Sequence, residues 1–98
     1  MTVLSFLDVH VAPDALDRAP AVIHDTLVAT RAREGCLGVD VTVDVDDETH
    51  FVLVEKWQTI AADDAYRAWR ATPEGASLLG PILAGAPTLT RTEVHDEI

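Results

Sequence analysis

Three aromatic side chains of this sequence, Trp57, Tyr66 and Trp69, have the shape to hold a flat organic molecule, and Glu55, His10 and Tyr66 have the chemistry to move its protons. Phe51, Leu53, Glu55 and Trp57 alternate along the chain, which in an extended segment puts all four on one face. There Trp57 is either a pocket wall or plain core packing. Glu55 is either a base or the partner of Arg31 or another arginine. Tyr66 and Trp69 stand three residues apart and share a helix face. Tyr66 could donate a hydrogen bond to a carbonyl oxygen; the alternative for the pair is packing of helix on sheet. His10 ends the face Leu4-Phe6-Asp8-His10, where a histidine titrating near neutrality is a candidate base and a solvated strand end is the alternative. His24 adjoins an Ile23–Leu27 stripe and is placed to face the same cleft or its rim. The catalytic candidates are thus Trp57, His10 and Tyr66, and the candidate substrate contacts are Trp69, Phe51, Leu53, His24 and Phe6. Arg67, Arg70 and Arg91 read as surface or interface charges. His50 and His95 receive no role, and Cys36 reads as a small buried hydrophobe.

Other chemistry lacks its residues. There is no dinucleotide-binding glycine fingerprint, no phosphate-binding loop and no serine nucleophile elbow. The four histidines have no metal-ligand spacing. No cofactor and no metal are therefore expected. With 17 acidic residues against 7 basic ones, the net charge of −10 repels phosphate backbones and anionic lipid surfaces, so neither nucleic acid nor a membrane is an expected partner. A single cysteine makes no internal disulfide. No apolar run approaches membrane-spanning length, and Met1-Thr2-Val3-Leu4-Ser5-Phe6 lacks the basic start of a secretory signal, which points to the cytoplasm.

The elements that must position these groups follow from patterning. The 98 residues, 48% hydrophobic and 24% charged, suit one domain over 1–98 with no linker or repeat. Thr2 to Val11 reads as a strand, and Asp17 to Arg33 as a helix with Leu16, Pro20, Ile23, Leu27 and Thr30 at helical spacing, stopped at Gly35. Cys36 to Val45 alternates, with Leu37, Val39, Val41, Val43 and Val45 on one face. Asp46-Asp47-Glu48-Thr49 reads as a turn and His50 to Trp57 as the returning strand. Ala61 to Thr72 is helical, Ala76 to Leu83 suggests a further short helix, and Thr88 to His95 a last strand. The order β-α-β-β-α-β is the ferredoxin-like split βαβ of an α+β domain, with an antiparallel sheet. The first and third strands are apolar on both faces, as central strands should be; the second and fourth are polar on one, as at edges. Two helices cover one face of such a sheet, and the apolar band left on the other predicts a homodimer.

The stretch Thr30-Arg31-Ala32-Arg33-Glu34-Gly35-Cys36-Leu37-Gly38, then Phe51-Val52-Leu53-Val54-Glu55-Lys56-Trp57, and finally Tyr66-Arg67-Ala68-Trp69-Arg70 resemble motifs of the antibiotic biosynthesis monooxygenase family, in the branch often labelled quinol monooxygenase. The resemblance spans Val3 to Val94. It implies a dimeric α/β barrel with a pocket between each sheet and its own helices, bordered by Trp57. It also implies oxidation of a small aromatic, a quinol or a polyketide-like substrate, by O2 without a cofactor: the substrate supplies the electrons, and the protein a dry pocket, a proton acceptor and a donor to the developing oxyanion. Anthrone-oxidising members place an asparagine four residues before the strand tryptophan, where this chain has Leu53. Haem-degrading members use an asparagine near the position of Leu7 and a histidine near that of Arg67, which argues against haem degradation here. A non-oxidative polyketide cyclase or isomerase, and an accessory protein that binds an aromatic without chemistry, are the other readings.

Overall fold

A computed structural model describes all residues, 1–98. Strand β1 (Val3–His10) is followed by a 3-10 turn over Pro13–Ala15 and helix α1 (Ala19–Arg31). Strands β2 (Cys36–Asp44) and β3 (Asp47–Trp57) form a hairpin that leads into helix α2 (Ile60–Arg70). A loop with a 3-10 turn at Gly80–Ile82 then brings the chain to β4 (Thr88–Glu93). The four strands pair antiparallel in the order β2-β3-β1-β4, so the two doubly apolar strands lie at the centre. This is the expected ferredoxin-like α+β architecture.

Cross-strand register sorts the side chains into two layers. Val3, Ser5, Leu7 and Val9 stand opposite Trp57, Glu55, Leu53 and Phe51, and these eight face the helices. Ile23, Thr26, Leu27 and Thr30 recur at helical spacing along α1 and are buried against them. Ile23 and Leu27 join Val9, Phe51 and Leu53 in the main core, with Leu79 and Ile82 of the long loop closing one end. Pro20, expected on this stripe, is exposed; Ala19 takes its place. Leu4, Phe6, Val52 and Val54 point to the opposite face, which no helix covers, and all four are only half-buried.

Several expected boundaries shift. Leu37 does not share a face with Val39: Cys36 pairs with Trp57 and Gly38 with Lys56, leaving Leu37 as the extra residue of a bulge. Gly38, at φ 147°, supplies the backbone conformation. The hairpin turn is Val45-Asp46 rather than residues 46–49, so β3 begins three residues earlier than His50. Asp44 Oδ1 accepts the Asp46 N–H at 2.9 Å and holds that turn. The suggested helix over 76–83 is only the 3-10 turn at Gly80–Ile82. No helix is long and apolar enough to cross a membrane.

Candidate active site

Helix α2 is rich in alanine, and its informative residues are polar. Thr59 caps it, its hydroxyl accepting the Ala62 N–H at 3.1 Å. Asp63, Tyr66, Arg67 and Arg70 then fall at i, i+3, i+4 and i+7, on the side turned to the sheet and α1. Between this side, the sheet and the loop that leads to β4 lies a cavity of about 360 Å³. Leu7 and Leu53 form its floor, Leu27 and Thr26 its α1 wall, and Leu79, Leu83 and Pro87 its loop wall. Glu55, Tyr66, Arg67 and Arg70 are its titratable lining. A larger depression of about 570 Å³, lined by Arg33, Gly35, Thr59, Ala62 and neighbours, lies at the far end of α1 and holds none of these groups.

Glu55 is 1% exposed and has no partner in Arg31, which instead donates to the Val39 carbonyl at 3.0 Å. Arg67 pairs with it, Nη2 lying 2.6 Å from Oε1, and Trp57 Nε1 donates to the same oxygen at 3.1 Å. Oε2 carries no hydrogen bond. Burial pushes the Glu55 carboxyl above the usual carboxylate range, and the Arg67 charge and the Trp57 N–H only partly oppose that. The result is a carboxylate with one tethered and one free oxygen at a cavity wall.

Behind it, Asp63 is fully buried. Its Oδ2 accepts from Ser5 Oγ at 2.8 Å and lies 3.4 Å from Arg91 Nη1. Its Oδ1 lies 3.0 Å from Arg67 Nε, a close charge contact too misaligned to be a hydrogen bond. Arg67 thus spans two buried carboxylates, and neither it nor Arg91 is the free surface charge expected from sequence.

Arg70 likewise points inward. Its Nε donates to Tyr66 Oη at 2.8 Å, its Nη2 to Thr30 Oγ1 and to the Thr26 carbonyl, both at 2.9 Å, and its Nη1 to the Gly75 carbonyl at 3.2 Å. Tyr66 Oη and Thr30 Oγ1 are 2.8 Å apart. These two hydroxyls own two protons, and one of them fills the bond between them. Thr30 is wholly buried with no other acceptor, whereas Tyr66 lines the cavity, so Thr30 donating to Tyr66 is the arrangement that leaves the unpaired proton where a ligand can reach it. The phenol proton is then left for a group in the cavity.

Of the residues expected from sequence, Tyr66 and Leu53 line this cavity. Trp57 does not: it is 0% exposed, packs on Tyr66 at 5.0 Å between ring centroids and acts on the cavity only through Glu55. Phe51 is buried in the core beyond the cavity. Trp69 lies outside, between the Arg33 and Arg70 guanidinium groups at 4.7 and 4.9 Å. His24 is exposed on α1. Phe6 and His10 are on the uncovered face, separated from the cavity by the sheet, and His10 stacks on His50 at 4.7 Å. No three His, Cys, Asp or Glu side chains converge as a metal site. The sequence reading missed Arg67, Arg70, Thr26 and Thr30. The signal for Arg67 was the opposed charge of Asp63 four residues before it on the helix; Arg70 has Tyr66 at that spacing and gave no such signal.

Known proteins carry the same architecture. A protein from Mycobacterium tuberculosis is 24% identical with a TM-score of 0.79, over 99% of this chain and 98% of that one. A structure described as an antibiotic biosynthesis monooxygenase is 24% identical at TM-score 0.78, over 95% and 98%. A Deinococcus radiodurans protein named for that same family is 21% identical at TM-score 0.80, over 98% and 95%. At such identities the likeness concerns the fold. No curated protein sequence matches the chain. The sequence model of one family, described as antibiotic biosynthesis monooxygenase, matches residues 4–76, which is most of the chain. The chain belongs to the antibiotic biosynthesis monooxygenase family.

Proposed function

We propose that this protein is a cofactor-independent monooxygenase that oxidises an electron-rich aromatic, a quinol or a polyketide-like phenol, with O2 in the cavity between sheet and α2. One juxtaposition carries the reading: in a leucine-lined space of about 360 Å³, Glu55 offers a free carboxylate oxygen and Tyr66 a spare phenol proton. An acceptor and a donor in a mostly apolar site are what the reaction asks of a protein when the substrate is the reductant.

Glu55 Oε2 takes a proton from the acidic C–H or O–H of the bound aromatic. The anion, its oxygen held by Tyr66 O–H, passes one electron to O2, and the two radicals couple to form a C–O bond. The peroxide takes up the proton to become a hydroperoxide. Where the attacked carbon keeps a hydrogen, loss of water breaks the O–O bond and leaves a carbonyl. One oxygen atom enters the product, the other leaves as water, and the substrate gives up two hydrogens. A cyclase or isomerase would use the same Glu55–Tyr66 pair for proton transfer without consuming gas, so oxygen uptake separates the two. Metal-stripped protein given a panel of anthrones and hydroquinones is expected to consume O2 faster than buffer. Tight binding of a panel member with uptake no faster than buffer would contradict the monooxygenase.

A further inference from the structure

The cations of this chain are few, and one of those lining the cavity has no anion. Seven basic residues face 17 acidic ones, yet no carboxylate lies within 4.0 Å of Arg70. Its four bonds all go to neutral oxygens: a phenol, a threonine hydroxyl and two backbone carbonyls. Those contacts fix the plane of the guanidinium without neutralising it, and leave one Nη1–H without a partner. Arg67 beside it spends its charge on Glu55 and Asp63, but its Nη1 carries no hydrogen bond. Both guanidinium carbons lie close to the Tyr66 ring, at 4.9 and 5.2 Å from its centroid. Glu55 and Asp63 both sit on Arg67, so Arg70 is the one lining charge without a counter-ion, inside a chain of net charge −10. A half-buried cation held by dipoles alone is costly unless an anion arrives.

We propose that the aromatic ligand of this cavity carries a carboxylate, which docks as the counter-ion of Arg70 and is the group by which the site selects its substrate. The one free Nη1–H of Arg70 can donate a charge-assisted hydrogen bond to a carboxylate oxygen, and the ring system then lies over the leucines toward Glu55. Arg70 is thereby a specificity-determining residue and not a member of the proton-transfer pair. The inference rests on the monooxygenase reading for the site, but its test does not require turnover.

The test compares a para-dihydroxynaphthoic acid with its methyl ester, titrated anaerobically into the intact protein and followed by calorimetry. The acid is expected to bind about tenfold more tightly than the ester, with the preference shrinking as salt is raised. Arg70→Gln should bring the two affinities to within about twofold, and Arg70→Lys should keep part of the preference. The comparison in the unaltered protein, with its salt dependence, decides the matter even if a variant folds poorly. Equal affinity of acid and ester, binding of neither, or a preference that survives Arg70→Gln would overturn the inference. An ester oxidised as fast as the acid overturns it and leaves the monooxygenase standing. Preferential binding of the acid without oxygen uptake supports it and removes the monooxygenase.

Discussion

At the scale of single residues, the account turns on Glu55 and Tyr66. Glu55→Gln keeps the shape and the Trp57 contact but removes the proton acceptor, so kcat is expected to fall by about 10²–10⁴-fold with binding little changed. Steady-state oxygen uptake against substrate concentration checks this, and an unchanged kcat would remove Glu55 from the chemistry. Tyr66→Phe deletes the spare proton and also strands an Arg70 N–H and the buried Thr30 hydroxyl. The expected result is a stability loss of about 1–3 kcal/mol in urea unfolding together with a loss of turnover. Full stability would show that the Thr30–Tyr66–Arg70 triangle is not formed. Tyr66 was visible in the sequence because it is the chain's one tyrosine, and Glu55 because it interrupts an apolar strand face; spacing puts each on a definite face. Arg67 and Arg70 were visible only as charges: spacing says which helix face a residue occupies, but not that the sheet opposite supplies Glu55.

At the scale of elements, patterning showed the order and the central strands, since β1 and β3 are the two strands apolar on both faces. It misplaced what depends on single backbone angles. The bulge at Leu37–Gly38 interrupts an alternation that looked continuous, and the Val45-Asp46 turn lacks the Asn-Gly or Asp-Gly signal that marks most tight hairpins. The same hairpin is tied to β1 by His50, whose ring nitrogens lie 2.9 Å from Asp44 and 2.8 Å from Asp8. Hydrogen bonds to Asp44 and then Asp8 raise the His50 pKa, and the bond to His50 lowers that of Asp44. The raised histidine stabilises the fold fully below its ordinary value of about 6.5, and that contribution is lost as pH rises through the folded value. The lowered Asp44 contributes above its ordinary value of about 3.8 and loses that on acidification. The clasp therefore works best in mildly acidic solution. Thermal melts from about pH 6 to 9 should show a falling melting temperature that His50→Gln flattens; parallel curves for the two proteins would show that the clasp adds nothing.

At the scale of the whole molecule, half the sheet surface still lacks a cover. Leu4, Phe6, Val52 and Val54 form an apolar band on the face away from the helices, flanked by Thr88, Thr90 and Thr92 of β4. The proposal for this face is a second copy of the chain, which would bury both bands at once. Light scattering should then give twice the 10.6 kDa chain mass, and Phe6→Glu should return it to the single-chain value. A monomer at high concentration would contradict the dimer and leave the cavity, which lies within one chain, untouched. Turnover under isotopically heavy O2 tests the chemistry proposed for that cavity. The monooxygenase predicts one heavy oxygen atom in the organic product, with the other in water, in protein stripped of metals. A product formed from the same aromatic without heavy oxygen would contradict it and leave Glu55 and Tyr66 as the acid–base pair of an isomerase or cyclase.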